Sequence, residues 1–312
     1  MTKLYLVTGF LGAGKTTFLH EVLKLFSGRR CALIVNEFGR RGVDGALLAD
    51  LGTDLTEINN GSIFCACKLE QFEAALLALQ GRDPAPEFVF VEASGLSDPT
   101  AVGAILNRRE VFPAMEYAGA ICLVDALRFP KLCETARVCR MQLAVSDLVL
   151  VNKADLVSRE QLDALEAALR AQRPDRPVHE TAFGRVERAW LEEMHTACAD
   201  PLQGEIHTRD LTLRKLTLRV SGLGRRDLTD FLRMVADETY RIKGFVTLPE
   251  GPFLVDCVGP LVELRPYDGP GAEWGALTVL YGNGLKAKRA IENAKAWFPK
   301  ADVREEKEPP EA

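Results

Sequence analysis

Positive charge is not in excess: 39 Lys and Arg stand against 44 Asp and Glu, a formal net charge of -5. Without clustered cations to neutralise phosphates, such a chain is a poor general binder of nucleic acid. Long apolar runs are missing too, and none approaches the roughly 20 residues that a bilayer-spanning helix needs. Lys3 and the apolar stretch behind it loosely imitate a secretion signal. Lys15, Thr16 and Thr17 follow at once, so the expectation is a cytoplasmic protein without a membrane segment. Histidine is scarce, with four scattered copies, and internal repeats are absent. The eight cysteines are then mostly free thiols, not a disulfide framework. Cys31, Cys122 and Cys257 sit in apolar, strand-like runs, as small core residues do.

What is present is a globular composition, 47% hydrophobic and 27% charged, with length enough for one large domain or two of common size. Short apolar runs alternate with helical patterns through the first two thirds of the chain. Leu4–Thr8, Cys31–Val35, Phe88–Val91, Ala120–Val124 and Leu148–Val151 are continuously apolar, as strands buried on both faces are. Helical spacing runs through Phe18, Leu19, Val22, Leu23 and Phe26, through Leu69, Phe72, Leu76 and Leu79, and through Leu162, Leu165 and Leu169.

Beyond residue 200 the period changes. Leu211–Val220 alternates with period two, a helix follows with Leu228, Phe231, Leu232 and Val235 on one face, and four extended segments precede a last helix from about Leu285 to Trp297. This predicts a smaller α+β domain with a largely antiparallel sheet over 208–301, joined through Asp200–Asp210. The end, 302–312, is charged and Pro-rich and reads as a disordered tail.

The first motif is GFLGAGKT, Gly9–Thr16, directly after a predicted strand and before a helix. That is the phosphate-binding pattern G-x-x-x-x-G-K-[ST] in the context it requires. Gly12 and Gly14 let the backbone curl so that N–H groups, that of Ala13 included, point inward, and the helix N-terminus favours anionic phosphate. Lys15 is expected on the β- and γ-phosphates, the Thr16 hydroxyl on Mg²⁺, and Thr17 near the α-phosphate. The fold class follows: α/β, a P-loop NTPase with a doubly wound, mostly parallel sheet over 1–199, plus the smaller α+β domain.

Asn152, Lys153 and Asp155 stand just after another strand in the spacing N-K-x-D. The Asp155 carboxylate can accept from N1–H and the exocyclic N2–H₂ of guanine. Adenine offers neither, and a site built to hydrogen-bond a group rejects the analogue that lacks it. Asn152 and Lys153 brace the loop, and Thr181–Gly184, with Ala182, is expected to close over the base. The nucleotide is therefore GTP or GDP. A P-loop kinase or ATPase is the competing reading, and the N-K-x-D loop argues against it.

Glu92 ends the strand FVFVE beside the phosphate loop, where a carboxylate can hold Mg²⁺ or polarise the attacking water. Gly95 leaves backbone room for the γ-phosphate. Glu37, in Asn36–Gly39, is expected at the metal or in catalysis, and Asp44 is a further acidic candidate. Arg40 and Arg41 can act as an arginine finger if their loop closes. Cys65 and Cys67 are spaced to share a soft or borderline ion such as Zn²⁺, with Glu37 a possible third ligand. Buried free thiols are the alternative.

These segments, with NGSIFCAC (Asn60–Cys67), VEASGLSDP (Val91–Pro99), the Gln142–Asp147 stretch and RIKGF (Arg241–Phe245), occur in an order that resembles the CobW-like GTPases over nearly the whole chain. The resemblance implies a metallochaperone or metallocofactor-insertion role, with zinc, cobalt or nickel handled for a client metalloenzyme, cobalamin chemistry within reach, and a possible homodimer. One departure is plain. The family carries G-C-x-C-C here, whereas this chain reads Gly61-Ser62-Ile63-Phe64-Cys65 and adds Cys67. Two functions follow: a slow GTPase that couples nucleotide state to metal binding, or a GTP-gated adaptor that assists a cofactor enzyme without carrying metal.

Overall fold

Alternation along the apolar runs decides how the first part of the chain packs. The computed structural model describes residues 1–37, 54–59, 66–97, 99, 105, 108, 110–172, 174–194, 213–259, 261–267, 274–282, 285–299 and 301–306. The chain divides into two units, Met1–Asp210 and Leu211–Ala312.

The strands of the first unit are β1 (Thr2–Gly9), β2 (Cys31–Glu37), β3 (Asp54–Asn59), β4 (Phe88–Glu92), β5 (Met115–Asp125), β6 (Leu148–Asn152) and β7 (Val178–Glu180). Its helices are α1 (Lys15–Leu25), α2 (Ala66–Gln80), α3 (Phe129–Thr135), α4 (Arg137–Ala144), α5 (Arg159–Gln172) and α6 (Arg188–Glu192). The sheet order is β3-β2-β4-β1-β5-β6-β7, and every neighbouring pair is parallel. Leu4, Leu6, Ile34, Val89 and Val91 face α2, which packs Phe72, Leu76 and Leu79 against them. Tyr5, Val7, Leu33, Phe90 and Ile121 point the other way, onto Phe18, Leu19 and Val22 of α1. A strand buried on both faces needs apolar residues at every position, which explains the continuous runs. Truncating one such side chain to Ala costs about 2–5 kcal/mol.

β3 has no such run. It reads DLTEIN at the sheet edge, and the apolar-run rule passes over it. The order runs outward from β1 in both directions, so the loops after β4, β1 and β5 border one crevice at the C-terminal edge, where ligands of doubly wound sheets bind.

The second unit contains β8 (Leu213–Ser221), α7 (Arg225–Ala236), β9 (Arg241–Leu248), β10 (Gly251–Val258), β11 (Leu261–Pro266), β12 (Ala276–Gly282), α8 (Ala287–Trp297) and β13 (Asp302–Glu306). Its sheet, in order β11-β10-β9-β12-β8-β13, pairs antiparallel throughout. Leu228, Phe231, Leu232 and Val235 of α7 and Ile291 of α8 cover Leu218, Ile242, Val255, Leu277 and Val279. The expectation of a disordered tail over 302–312 is corrected for 302–306. There the chain pairs with β8 and buries Val303, so one apolar residue and a free sheet edge outweigh the surrounding charge. No described helix is long and apolar enough to cross a membrane.

Candidate functional site

β1 delivers the chain into the crevice at Gly9, and α1 begins at Lys15. Between them the backbone must turn back on itself, and Gly14 does so at φ +98°. A Cβ there would lie 2.3 Å from Asn152 Nδ2, so no other residue fits without displacing that side chain. The first turn of α1 holds no acidic residue and no side-chain cap. Its N–H groups and its dipole are left to an anion. The buried Lys15 donates from Nζ to Gly9 O at 2.9 Å and Phe10 O at 3.3 Å. An ammonium held by carbonyls at the mouth of the loop can swing to a charged oxygen, a stronger acceptor. Thr16 is half-buried and Thr17 is exposed on the same turn.

Glu92 closes β4 directly across from Val7 of β1 and is buried. The ladder continues one step as Ala93 N–H donates to Val7 O at 2.9 Å. The following turn brings Gly95 so close to the phosphate loop that a Cβ would sit 2.7 Å from Leu11 N. Gln142 of α4, itself buried, holds that turn by donating Nε2 to Gly95 O at 3.2 Å and Ser97 O at 3.3 Å. Among the described residues the buried hydroxyls of Thr8 and Ser97 find no hydrogen-bond partner. The Thr16 hydroxyl and the Glu92 carboxylate, both at this edge, are hard oxygen donors of the kind that suits Mg²⁺. On the other side of β1, burial pushes the Cys122 thiol up to about 12, with the Lys15 charge pulling slightly the other way.

The loop after β6 is tied to the phosphate loop through one side chain. Asn152 Nδ2 donates to Ala13 O at 2.8 Å, and Asn152 Oδ1 accepts from Gly184 N–H at 3.0 Å. Lys153 is left-handed at φ 63°, and its Nζ meets the buried Asp125 carboxylate at 2.6 Å. A 3₁₀ turn, Ala154–Leu156, then presents Asp155 to solvent. Ala154 N–H donates to Thr181 O at 3.1 Å, which sets Thr181–Gly184 beside it. There Ala182 opens a turn closed by Arg185 N–H at 3.3 Å, and Phe183 stands 64% exposed at φ 57°. An exposed carboxylate and an exposed aromatic ring on two hydrogen-bonded loops can offer a planar base an acceptor and a stacking face.

The structure thus gathers Gly12, Ala13, Gly14, Lys15, Thr16, Thr17, Glu92, Gly95, Asn152, Lys153, Asp155 and Ala182 along one sheet edge. Glu37 ends β2 at that edge, two residues past Val35, which pairs with Glu92. Cys67 is the second residue of α2. Cys65, Asp44, Arg40 and Arg41 lie outside the described residues. Among the described residues no three of His, Cys, Asp and Glu converge to hold a metal ion.

Sequence reasoning missed Asp125, Arg128 and the reach of Gln142. The one local signal was Asp125 at the end of a strand next to the phosphate strand. It also missed the buried pair Asp147–Arg176, 3.1 Å apart, in which Asp147 Oδ2 accepts from Ala120 N–H at 2.9 Å and pins β5 where it meets β6.

Residues 3–180 match the family described as CobW/HypB/UreG, nucleotide-binding domain. The zinc chaperone YeiR of Escherichia coli (strain K12) is 31% identical over 218 residues, which cover 69% of this chain and 66% of that protein. The zinc chaperone CobW of Sinorhizobium sp is 28% identical over 324 residues, 88% of this chain and 91% of the relative. Among solved structures, Zn(II)-bound YjiA GTPase from E. coli is similar at 18% identity with a TM-score of 0.47, covering 95% of this chain and 98% of that one.

Proposed function

We propose that this chain, which belongs to the CobW/HypB/UreG family of nucleotide-binding domains, is a GTP-dependent metallochaperone. The observation that carries the reading is the Asn152 side chain, which joins the phosphate loop to the loop beside Asp155 through two buried hydrogen bonds. A triphosphate held at one end therefore shares a rigid frame with the groups that read the base. The names of the relatives, zinc chaperones in two genera, support metal as the cargo.

In this reading the Lys15 ammonium and the amides of Gly12, Gly14 and Lys15 bind the phosphates, while Ala13 N–H donates to Phe10 O at 3.1 Å within the loop, and Asp155 selects guanine. Thr16 and Glu92 would hold Mg²⁺, which would offset negative charge on the phosphates. Glu92 also orients the attacking water, with Glu37 beside it on β2. Lys15 steadies the charge that develops as the γ-phosphoryl leaves, and the intrinsic rate of hydrolysis is low. The cargo ion, Zn²⁺ or a neighbour such as Co²⁺ or Ni²⁺, is taken by Cys65 and Cys67 and passed to a client metalloenzyme, with nucleotide state ordering or releasing that segment. A cytoplasmic setting suits Cys31, Cys122, Cys133, Cys139 and Cys257, none of which is in a disulfide.

A second reading, an adaptor that carries no metal, is favoured by one observation: Ser62 and Phe64 stand in the segment where thiols are expected. Competition titrations with Zn²⁺, Co²⁺ and Ni²⁺ on the GDP form and the form loaded with a non-hydrolysable GTP analogue separate the two. A metallochaperone binds metal with different affinity in the two forms and loses that binding in Cys65→Ser/Cys67→Ser. Equal affinities remove the coupling, and metal binding indifferent to the double substitution removes the cysteine site.

A further inference from the structure

Arg128 is the residue in question. It follows β5, the neighbour of β1 on the side opposite β4, and it caps the start of α3. Its position is fixed from below. The buried Asp125 carboxylate accepts from Leu127 N–H and from Arg128 N–H through Oδ1, both at 3.1 Å, and holds Lys153 through Oδ2. Phe129 and Leu132 sink α3 into the core directly behind. From that anchored backbone the guanidinium reaches the phosphate loop, where Nη1 donates to Leu11 O at 3.3 Å.

Leu11 marks the γ end of the cradle. Its N–H is backed by Gly95, the glycine three residues beyond Glu92, and Lys15 Nζ rests on the carbonyls of Gly9 and Phe10 just before it. A triphosphate in this loop has its α-phosphate over the first turn of α1 and its γ-phosphate toward Leu11 and Gly95. The γ-phosphate is then flanked by Glu92 and Gly95 from β4 and by Arg128 from β5.

We infer that Arg128 is a catalytic arginine supplied in cis, turning from Leu11 O to the γ-phosphate as charge builds on the phosphoryl oxygens. This rests on the reading of the loop as a GTP site. A guanidinium is planar, always charged and matched to two phosphate oxygens at once. Donors aimed at developing charge stabilise the transition state more than the ground state, and an arginine in this role accelerates GTP hydrolysis by about 10³–10⁵. Because Asp125 grips both the Arg128 turn and Lys153, occupation of the base-reading loop and placement of the arginine are mechanically joined.

The test uses the full chain and Arg128→Gln and Arg128→Lys, each checked for folding by circular dichroism. Single-turnover hydrolysis is measured at saturating GTP, GDP affinity by calorimetry, and retention of GDP in the presence of aluminium fluoride, which mimics the transferring phosphoryl group. The inference expects Arg128→Gln to lose about 10²-fold or more in rate and to lose the fluoride complex. GDP affinity stays within about threefold, and Arg128→Lys recovers only part of the rate. Hydrolysis and fluoride trapping unchanged in Arg128→Gln overturn it. If the unaltered chain binds no guanine nucleotide, the reading of the site itself has failed, a result distinct from a nucleotide-binding protein indifferent to Arg128.

Discussion

Replacing Asn152 with Ala removes one side chain and opens two contacts at once. Ala13 O loses a donor at 2.8 Å and Gly184 N–H loses an acceptor at 3.0 Å. Asn152 is 2% exposed, so water does not readily replace either partner. A buried hydrogen bond contributes about 1 kcal/mol net, and a buried group left unpaired costs about 1–3 kcal/mol. Two such groups give about 2–6 kcal/mol of destabilisation. For a unit of this size that corresponds to a fall in Tm of roughly 4–24 °C. The phosphate loop and the Thr181–Gly184 loop also lose their mutual anchor, so GDP affinity drops with stability, by about tenfold or more. Thermal unfolding followed by circular dichroism, with and without GDP, reads the first effect, and calorimetry with GDP reads the second. Asn152→Asp sharpens the test: it keeps an acceptor for Gly184 N–H but brings a negative oxygen against Ala13 O, so it should not restore nucleotide binding. An Asn152→Ala protein that unfolds within about 1 °C of the parent and binds GDP equally well would refute the claim that this side chain unites the site.

Two further outcomes follow from the same geometry. Glu92→Gln keeps the shape of the strand end but removes the charge, so it should retain GDP within about threefold while losing Mg²⁺-dependent hydrolysis by at least about tenfold; single-turnover kinetics across a Mg²⁺ titration check this, and unaltered hydrolysis would take Glu92 out of the mechanism. Burial pushes the thiols of Cys122 and Cys257 up to about 12. The raised value favours the neutral thiol, so at pH 8 the reactive thiolate is a fraction of about 10⁻⁴; iodoacetamide should spare both in the native protein and label both in guanidinium, as read by peptide mass spectrometry, whereas native labelling at Cys122 would contradict its place behind the phosphate loop.

What the sequence disclosed depends on where each residue lies. β1, β2, β4, β5 and β6 are buried on both faces, so they announce themselves as unbroken apolar runs. The edge strand β13 is not, and DVREE resembles a loop, as does the sequence DLTEIN of the edge strand β3. The site divides in the same way. Gly9–Thr16 and Asn152–Asp155 are contiguous because each builds one turn of backbone, and contiguous motifs are readable. Gln142, Asp125 and Arg128 come to the site from separate elements, and their partners are 47, 28 and 117 positions away. No local spacing records such a meeting; only the sheet order does. Asn152 was legible as part of a motif, but its role as the joint between two loops was not.

Selection of guanine by Asp155, over a phosphate cradle headed by Lys15, is the property on which the proposed function depends. Calorimetric titration of the purified protein with GDP, IDP and ADP in the presence of Mg²⁺ tests this directly. The expected result is GDP bound at least about 10²-fold tighter than ADP, with IDP, which keeps N1–H and lacks the 2-amino group, in between. Equal affinity for GDP and ADP, or no binding of either, would contradict it.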